Sequence, residues 1–187
     1  VGEVRIIGGR WRRSKLNVPD KPGLRPTPDR VRETLFNWLG QDLGGWQVLD
    51  AFAGSGSLGF EAASRGATRV SMVELDAQLV RALKDTATRL GATQVDVQRG
   101  DGVATLRAQT AQSLDLIFLD PPFASDWFVP ALQAAQTALR PTGWVYLEAP
   151  RAYSEAECAQ LGYHLHRQLK AGQVWAHLLN LDLGHGS

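Results

Sequence analysis

Asp120-Pro121-Pro122-Phe123 follows the apolar run Leu114 to Leu119. A strand that ends on a carboxylate, two prolines and an aromatic ring is costly to fold. The residue before a proline is held extended, and two prolines fix φ and remove two backbone donors. The turn therefore offers two acceptors, the Asp120 carboxylate and the Pro121 carbonyl, beside the flat ring of Phe123. Such a set suits a planar heterocycle that carries an exocyclic NH₂ group.

A second cluster lies upstream. Val48 to Gly59 reads VLDAFAGSGSLG, so Gly54, Gly56 and Gly59 satisfy G-x-G-x-x-G between a strand and a helix. The first glycines let the backbone approach a ligand, and Gly59 lets the helix pack close to the sheet. A turn built for a pyrophosphate follows its strand at once. Here Asp50 ends the strand, and Ala51-Phe52-Ala53 precede the first glycine. A carboxylate at that point opposes a pyrophosphate and favours a cation. Glu74, in Val73-Glu74-Leu75-Asp76, ends a second strand where an acid can accept two ribose hydroxyls. Asp101, in Gly100-Asp101-Gly102, ends a third, where an adenine amino group could donate to it. Taken singly, each acid could equally be a helix cap or a turn residue. Together, three acids at successive strand ends with no basic residue fit S-adenosylmethionine, with its sulfonium and α-ammonium, better than a phosphorylated dinucleotide.

These residues need strand ends brought side by side, and the rest of the chain supplies them. Apolar segments at 47–50, 69–74, 95–99, 114–119, 143–148, 163–168 and 174–181 read as strands. Helical patterns at 57–65, 77–91, 102–110, 127–139 and 154–161 lie between them. That alternation predicts an α/β fold with a mostly parallel seven-stranded sheet covered on both faces. The short connection Lys170 to Gln173 makes the last two strands antiparallel. Asp120 then ends the fourth strand, next to the first across the switch point, and faces the same pocket from the other side. Before the first strand, Thr27 reads as the N-cap of a helix with Pro28 at its first position, and Val31, Leu35, Trp38 and Leu39 as its core face. Gly44-Gly45 closes that segment. Residues 3–18 read as a two-stranded ribbon turning on Gly8-Gly9.

The net charge of +1 is unevenly spread. Residues 1–32 hold nine basic and three acidic side chains, whereas the other 155 hold eleven and sixteen. A basic end on an acidic body points to a polyanionic partner. With no apolar run of about 18 residues, no transmembrane helix is expected. We expect no secretory leader and a reducing, cytoplasmic setting. Val1 opens the chain and Met72 is its only methionine, so the initiating segment is expected to be missing or processed. The single Cys158 excludes an internal disulfide and a CxxC metal site. His164, His166, His177 and His185 form no metal or base constellation, so no metal is expected.

Asp120-Pro121-Pro122-Phe123 matches the [D/N/S]-P-P-[Y/F/W] signature of amino-group N-methyltransferases. Asp50-Ala-Phe-Ala-Gly54-Ser55-Gly56 is similar to their cofactor motif. Together with Arg5-Ile-Ile-Gly-Gly-Arg-Trp-Arg12 and the run from Leu24-Arg-Pro-Thr-Pro-Asp to Trp38-Leu39, nearly the whole chain resembles the bacterial 16S ribosomal RNA guanine-N2 methyltransferase family. In that family basic residues often follow the DPPF turn, whereas Ala124-Ser125-Asp126 follow it here. The resemblance implies a Rossmann-like class I methyltransferase domain at 27–187 behind a basic RNA-binding hairpin at 1–26. It implies catalytic roles for Asp120, Pro121 and Phe123. S-adenosylmethionine would contact Arg25, Thr27, Asp50, Phe52, Gly54, Ser55, Gly56, Glu74, Leu75, Asp101, Gly102 and Asp120. RNA would contact Arg10, Trp11, Arg12, Arg13 and Lys15. The expected partner is 16S ribosomal RNA within a small-subunit particle, bound by a monomer. The same signature serves DNA adenine and protein glutamine methylation. The glutamine enzymes usually carry Asn at the position of Asp120, and DNA enzymes usually add a recognition domain for which 187 residues leave no room. A non-catalytic RNA-binding module on this fold is the reading from a different class.

Overall fold

Every expected strand and helix of the α/β alternation forms in a computed structural model that describes residues 3–184. Three bounds differ from the apolar periodicity: β5 starts four residues earlier, β6 runs three residues further and α4 ends three residues sooner. Seven strands make one sheet: β1 (Gln47–Asp50), β2 (Arg69–Glu74), β3 (Val95–Arg99), β4 (Leu114–Leu119), β5 (Leu139–Ala149), β6 (Tyr163–Ala171) and β7 (Val174–Leu181). Their order is β3-β2-β1-β4-β5-β7-β6. The first five run parallel, and β7 lies antiparallel between β5 and β6. The sequence of crossovers reverses between β1 and β4, so a crevice opens at their carboxyl ends.

Six helices cover the sheet: α1 (Asp29–Leu39), α2 (Ser57–Ser64), α3 (Ala77–Leu90), α4 (Gly102–Arg107), α5 (Phe128–Ala138) and α6 (Glu155–Gln160). Alternate strand residues feed two cores. Val48, Met72, Leu116, Phe118 and Tyr146 pack with α1, α2 and α3 on one face. Leu49, Val73, Ile117, Leu119 and Leu147 pack with α4, α5 and α6 on the other.

The N-terminal ribbon belongs to the first of these cores. Its Val4, Ile6, Trp11 and Leu16 are buried there. The ribbon is narrower than its sequence suggests, with one bridge between Arg5 and Lys15. Its turn runs from Ile7 to Ser14 rather than over two glycines, because the loop docks on the end of α2. There the Arg10 and Trp11 amides donate to the Ser64 carbonyl (2.8 Å) and hydroxyl (2.9 Å). A buried ion cluster pins this arrangement. Glu61 of α2 accepts from the Ile7 and Gly8 amides, from Arg65 and from the fully buried Arg32 of α1. Two details of α1 differ from the sequence reading. Gly40, with φ of 93°, ends it rather than Gly44-Gly45, and Thr27 does not cap it. Among the described residues no helix is long and apolar enough to cross a membrane. His185 lies outside the described residues.

Candidate active site

Four adjacent parallel strands end in acids that line up in space. Glu74 ends β2, Asp50 ends β1, Asp120 follows β4, and Glu148 lies one residue before the end of β5. Among the described residues, no lysine, arginine or histidine comes within ion-pair distance of any of the four. Carboxylates gathered without a cation repel one another and resist ionisation. Burial pushes Asp50 up to about 7, aided by the charges of Glu74 and Glu148 and opposed by the Gly59 amide. Burial also raises Asp120 well above the usual range, followed by the charge of Glu148 and a hydrogen bond shared with it. Asp50 adds to that rise, and Arg25 opposes it.

The glycine turn holds this row in place. Gly56, with φ of 81°, has no room for a side chain, since a Cβ there would meet Leu83 and Phe60 at 2.6 and 2.7 Å. Its role is therefore to turn the chain and seat α2 against α3, rather than to approach a ligand. A Cβ on Gly59 would lie 2.5 Å from Met72, so its packing role is as the sequence suggests. The Gly59 amide donates to Asp50 Oδ2 at 3.1 Å. Asp50 Oδ1 is buried and has no partner. Glu74 braces the turn from the side, accepting from the Gly54 amide (3.0 Å) and the Asp76 amide (2.8 Å).

Along these strand ends runs a cleft of about 510 Å³. It is lined on one side by Glu74, Leu75 and Asp76, and on the other by Asp120, Pro121, Pro122, Phe123 and Trp127. Phe52 and Gly102 form its floor, with Trp127 stacked on Phe52 at 6.1 Å. Leu75 is exposed over the cleft, an apolar surface of the kind a flat ring covers. The segment before α1 straps across the mouth. Lys21 pairs with Asp76 at 3.1 Å on one side, and the Arg25 guanidinium lies 3.5 Å from the centroid of the Phe123 ring on the other. No donor among the described residues is bonded to the Pro121 carbonyl.

Most of the expected site residues thus converge, and several do not. Arg25, Phe52, Glu74, Leu75, Gly102, Asp120, Pro121 and Phe123 line the cleft. Asp50, Gly54, Ser55 and Gly56 are not among its lining residues. Asp101 caps α4, accepting from the Ala104 amide at 2.9 Å, and is not part of the lining. Thr27 is buried with its hydroxyl donating to Glu148 at 3.1 Å, which removes it from the lining. Trp11 is 8% exposed and anchors the ribbon, so its ring is not available for stacking on a base. Arg10, Arg12, Arg13 and Lys15 are exposed, but they sit beside the last turn of α2. That end of α2 is the one remote from the glycine turn, about 12 Å away along an eight-residue helix. Glu148 was missed by the sequence reading, although its strand ends on an acid like the other three. His177 is buried, bonding the Tyr153 amide and the Leu147 carbonyl, and is structural. A larger groove of about 800 Å³ lies at the opposite end of the sheet. Its lining mixes Arg12 and Arg65 with Glu33 and Asp42, and Arg65 is already committed to Glu61 and Gln41.

A 3-2-1-4-5-7-6 sheet with a glycine turn after β1 and an acid-lined cleft at its carboxyl ends defines a class I S-adenosylmethionine-dependent methyltransferase. A solved candidate methyltransferase from Escherichia coli, yhhF, superposes with a TM-score of 0.82 at 37% identity, covering 98% of this chain and all of that one. The family described as conserved hypothetical protein 95 matches residues 4–180. An Escherichia coli protein named ribosomal RNA small subunit methyltransferase D is 42% identical over 179 residues, 92% of this chain and 87% of the relative. A protein of the same name from Haemophilus influenzae is 43% identical over 155 residues, 80% of each chain. The chain belongs to this family.

Proposed function

We propose that the protein transfers a methyl group from S-adenosylmethionine to the exocyclic N2 amine of a guanine in 16S ribosomal RNA. The observation that carries this reading is the Asp120-Pro121 acceptor pair beside Phe123 at the mouth of the cleft. The names of the relatives support ribosomal RNA as the substrate class, and that substrate implies a cytoplasmic site of action. The binding residues fit the cofactor. Glu74 keeps free lone pairs toward ribose hydroxyls, and Leu75 offers an apolar surface to the adenine. Acids without an ion-pair partner at the strand ends complement the two cationic groups, and the buried Asp50, with its unpartnered Oδ1, adds negative charge from outside the lining. When bound, S-adenosylmethionine supplies an electrophilic methyl group on a sulfonium.

The chain's own groups do the rest. The guanine amine is a poor nucleophile because its lone pair is delocalised into the ring. Accepting its two N–H groups at Asp120 and at the Pro121 carbonyl favours a pyramidal nitrogen with a localised lone pair. Positive charge then grows on that nitrogen, so a fixed acceptor beside it binds the transition state more strongly than the ground state. Asp120 or water takes the proton that leaves. A paired guanine hides its amine, so the base must be unpaired or flipped onto Phe123. Arg25 lies over that ring, so a base stacked on Phe123 would take its place. Arg10, Arg12, Arg13 and Lys15 would hold phosphates at a distance from the cleft, which favours a structured substrate such as a subunit particle over a short strand. The chain is read as a monomer, and its chemistry requires no metal.

The test is transfer of a radiolabelled methyl group to naked 16S RNA and to small subunits, both from cells lacking the enzyme, followed by nucleoside analysis. Label in N2-methylguanosine is the expected result. Label in another nucleoside, or in protein, would replace this reading.

A further inference from the structure

We propose that Glu148 is a positioning residue for Asp120, holding one proton between the two carboxyl groups and so fixing one Asp120 oxygen toward the cleft. The inference rests on reading Asp120 as the acceptor of the target amine.

Strand register sets the contact. Leu119 of β4 pairs with Leu147 of β5, and the two strands are parallel. The next residue on each is an acid: Glu148 shares the face of Tyr146, whose hydroxyl it accepts, and Asp120 lies just past the end of β4 in the cleft lining. Glu148 is 1% exposed. Its Oε2 accepts from the Thr27 hydroxyl at 3.1 Å, and its Oε1 from the Tyr146 hydroxyl at 3.3 Å. A buried carboxylate held by two neutral donors, with no ion-pair partner, does not tolerate a second ionised carboxylate at the next position of the neighbouring strand. Sharing a proton resolves the conflict. The groups that face the pair are few: Asp50 from β1, Tyr146 from β5, and Arg25 with Thr27 from the segment before α1. Arg25 alone among them carries positive charge. Burial first, then the charges of Glu148 and Asp120, keep Tyr146 in its phenol form, so it remains a donor.

The arrangement gives Asp120 a use for its neighbour. With two hydroxyls already on Glu148, the resting proton lies on the inner oxygen of Asp120. As the target nitrogen becomes positive, that proton shifts to Glu148 and Asp120 gains negative charge. The nitrogen then loses one proton to the outer oxygen of Asp120. The pair now holds two protons where it held one, and returns one to water. No other reactant is needed.

The test is carbon-13 NMR of the full chain labelled at aspartate side-chain carboxyls, with the Asp120 signal assigned by its loss in Asp120→Asn. In the wild type the Asp120 signal should move in two steps, the larger above the ordinary carboxylate range, because coupled sites titrate as a pair. Glu148→Gln, which offers Asp120 an amide donor in place of a charge, should leave one step and lower its midpoint by at least one pH unit. The acid limb of the single-turnover rate should move the same way. A single wild-type step in the ordinary range overturns the proposal without any variant. An unmoved midpoint in folded Glu148→Gln, checked by thermal unfolding, overturns it as well. The NMR readout needs neither cofactor nor RNA, so its outcome stands whether or not guanine proves to be the target.

Discussion

Replacing Asp50 by Asn removes a buried charge while keeping the shape and the Gly59 hydrogen bond. The carboxyl is pushed from 3.8 in its ordinary state to about 7 in the fold. Its folded value is raised, so the unfolded chain ionises first. Between those two pH values the folded state holds more protons than the unfolded one, and stability falls as pH rises. The penalty is absent below 3.8 and complete above 7. Three units at 1.36 kcal/mol each give a full penalty of about 4 kcal/mol. Asn carries no such penalty, but its amide leaves an unpartnered donor where Oδ1 now lacks a partner, at a cost of roughly 1–3 kcal/mol.

The difference between variant and wild type should therefore swing by about 2–3 kcal/mol from pH 5 to pH 8 in favour of Asn. For a domain of this size each kcal/mol moves Tm by roughly 2–4 °C, so the swing should be roughly 5–10 °C. Thermal unfolding followed by circular dichroism at several pH values measures it. A Tm difference that stays flat across that range would refute the argument that burial holds the Asp50 proton. Cofactor affinity should fall in the same variant. Together the two outcomes would identify Asp50 as a group kept for function at the expense of stability.

Asp120→Ala should retain cofactor affinity within a few-fold and lower the single-turnover rate by roughly 10²–10³; a near wild-type rate would remove Asp120 as the amine acceptor. Glu74→Ala should weaken S-adenosylmethionine binding in calorimetry by about tenfold or more, and unchanged affinity would exclude the ribose assignment. Changing Arg10, Arg12 and Arg13 to Ala should flatten the log–log dependence of RNA affinity on salt by about two units, at about 0.7 per phosphate contact, with cofactor affinity unchanged. Equal slopes would make the ribbon arginines a solvated surface. Glu61→Ala removes the buried acid from the cluster and leaves Arg32 with the exposed Asp29 as its acidic partner, so it should cost about 3 kcal/mol in denaturant unfolding; a loss below about 1 kcal/mol would mean that the ion cluster does not anchor the ribbon.

The elements were largely legible because their apolar periods are strong and their turns are marked. The bounds of β1, β2, β3, β4 and β7 match the sequence reading residue for residue. The start of β5 does not, since Leu139 pairs with Leu114 across an irregular register before Pro141, and no local pattern announces that contact. The site divides along the same line. Asp120 and Glu74 are set by their own strand ends, so spacing alone suffices to place them in the cleft lining. Thr27 looks like a helix cap from its neighbours, but its hydroxyl reaches an acid 121 residues away. Trp11 looks exposed because arginines flank it, yet the groove beside α2 buries it. Asp101 satisfies its own helix, a use that the sequence pattern could not separate from a ligand contact.

On the proposed function the ribbon and the cleft would address different parts of a substrate, and the ion cluster fixes the ribbon to α1 and α2. Arg32 joins the Arg5 carbonyl of the ribbon, the Thr27 carbonyl before α1 and Glu61 of α2 in one buried network. The ribbon backbone at Arg10 is therefore held at the far end of α2, about 12 Å along that helix from the glycine turn. Successive phosphates of one strand advance about 3.4 Å along a helix. A strand running from the cleft to the ribbon must then be at least three or four nucleotides long before the two regions can be occupied together. The acids that favour a cationic cofactor also repel phosphates near the reacting amine. Lys21 and Arg25 at the cleft mouth offset that row only in part, none of the four acids being ion-paired. On the proposed function the ribbon arginines, held a helix length away, would attract the RNA without neutralising the row further.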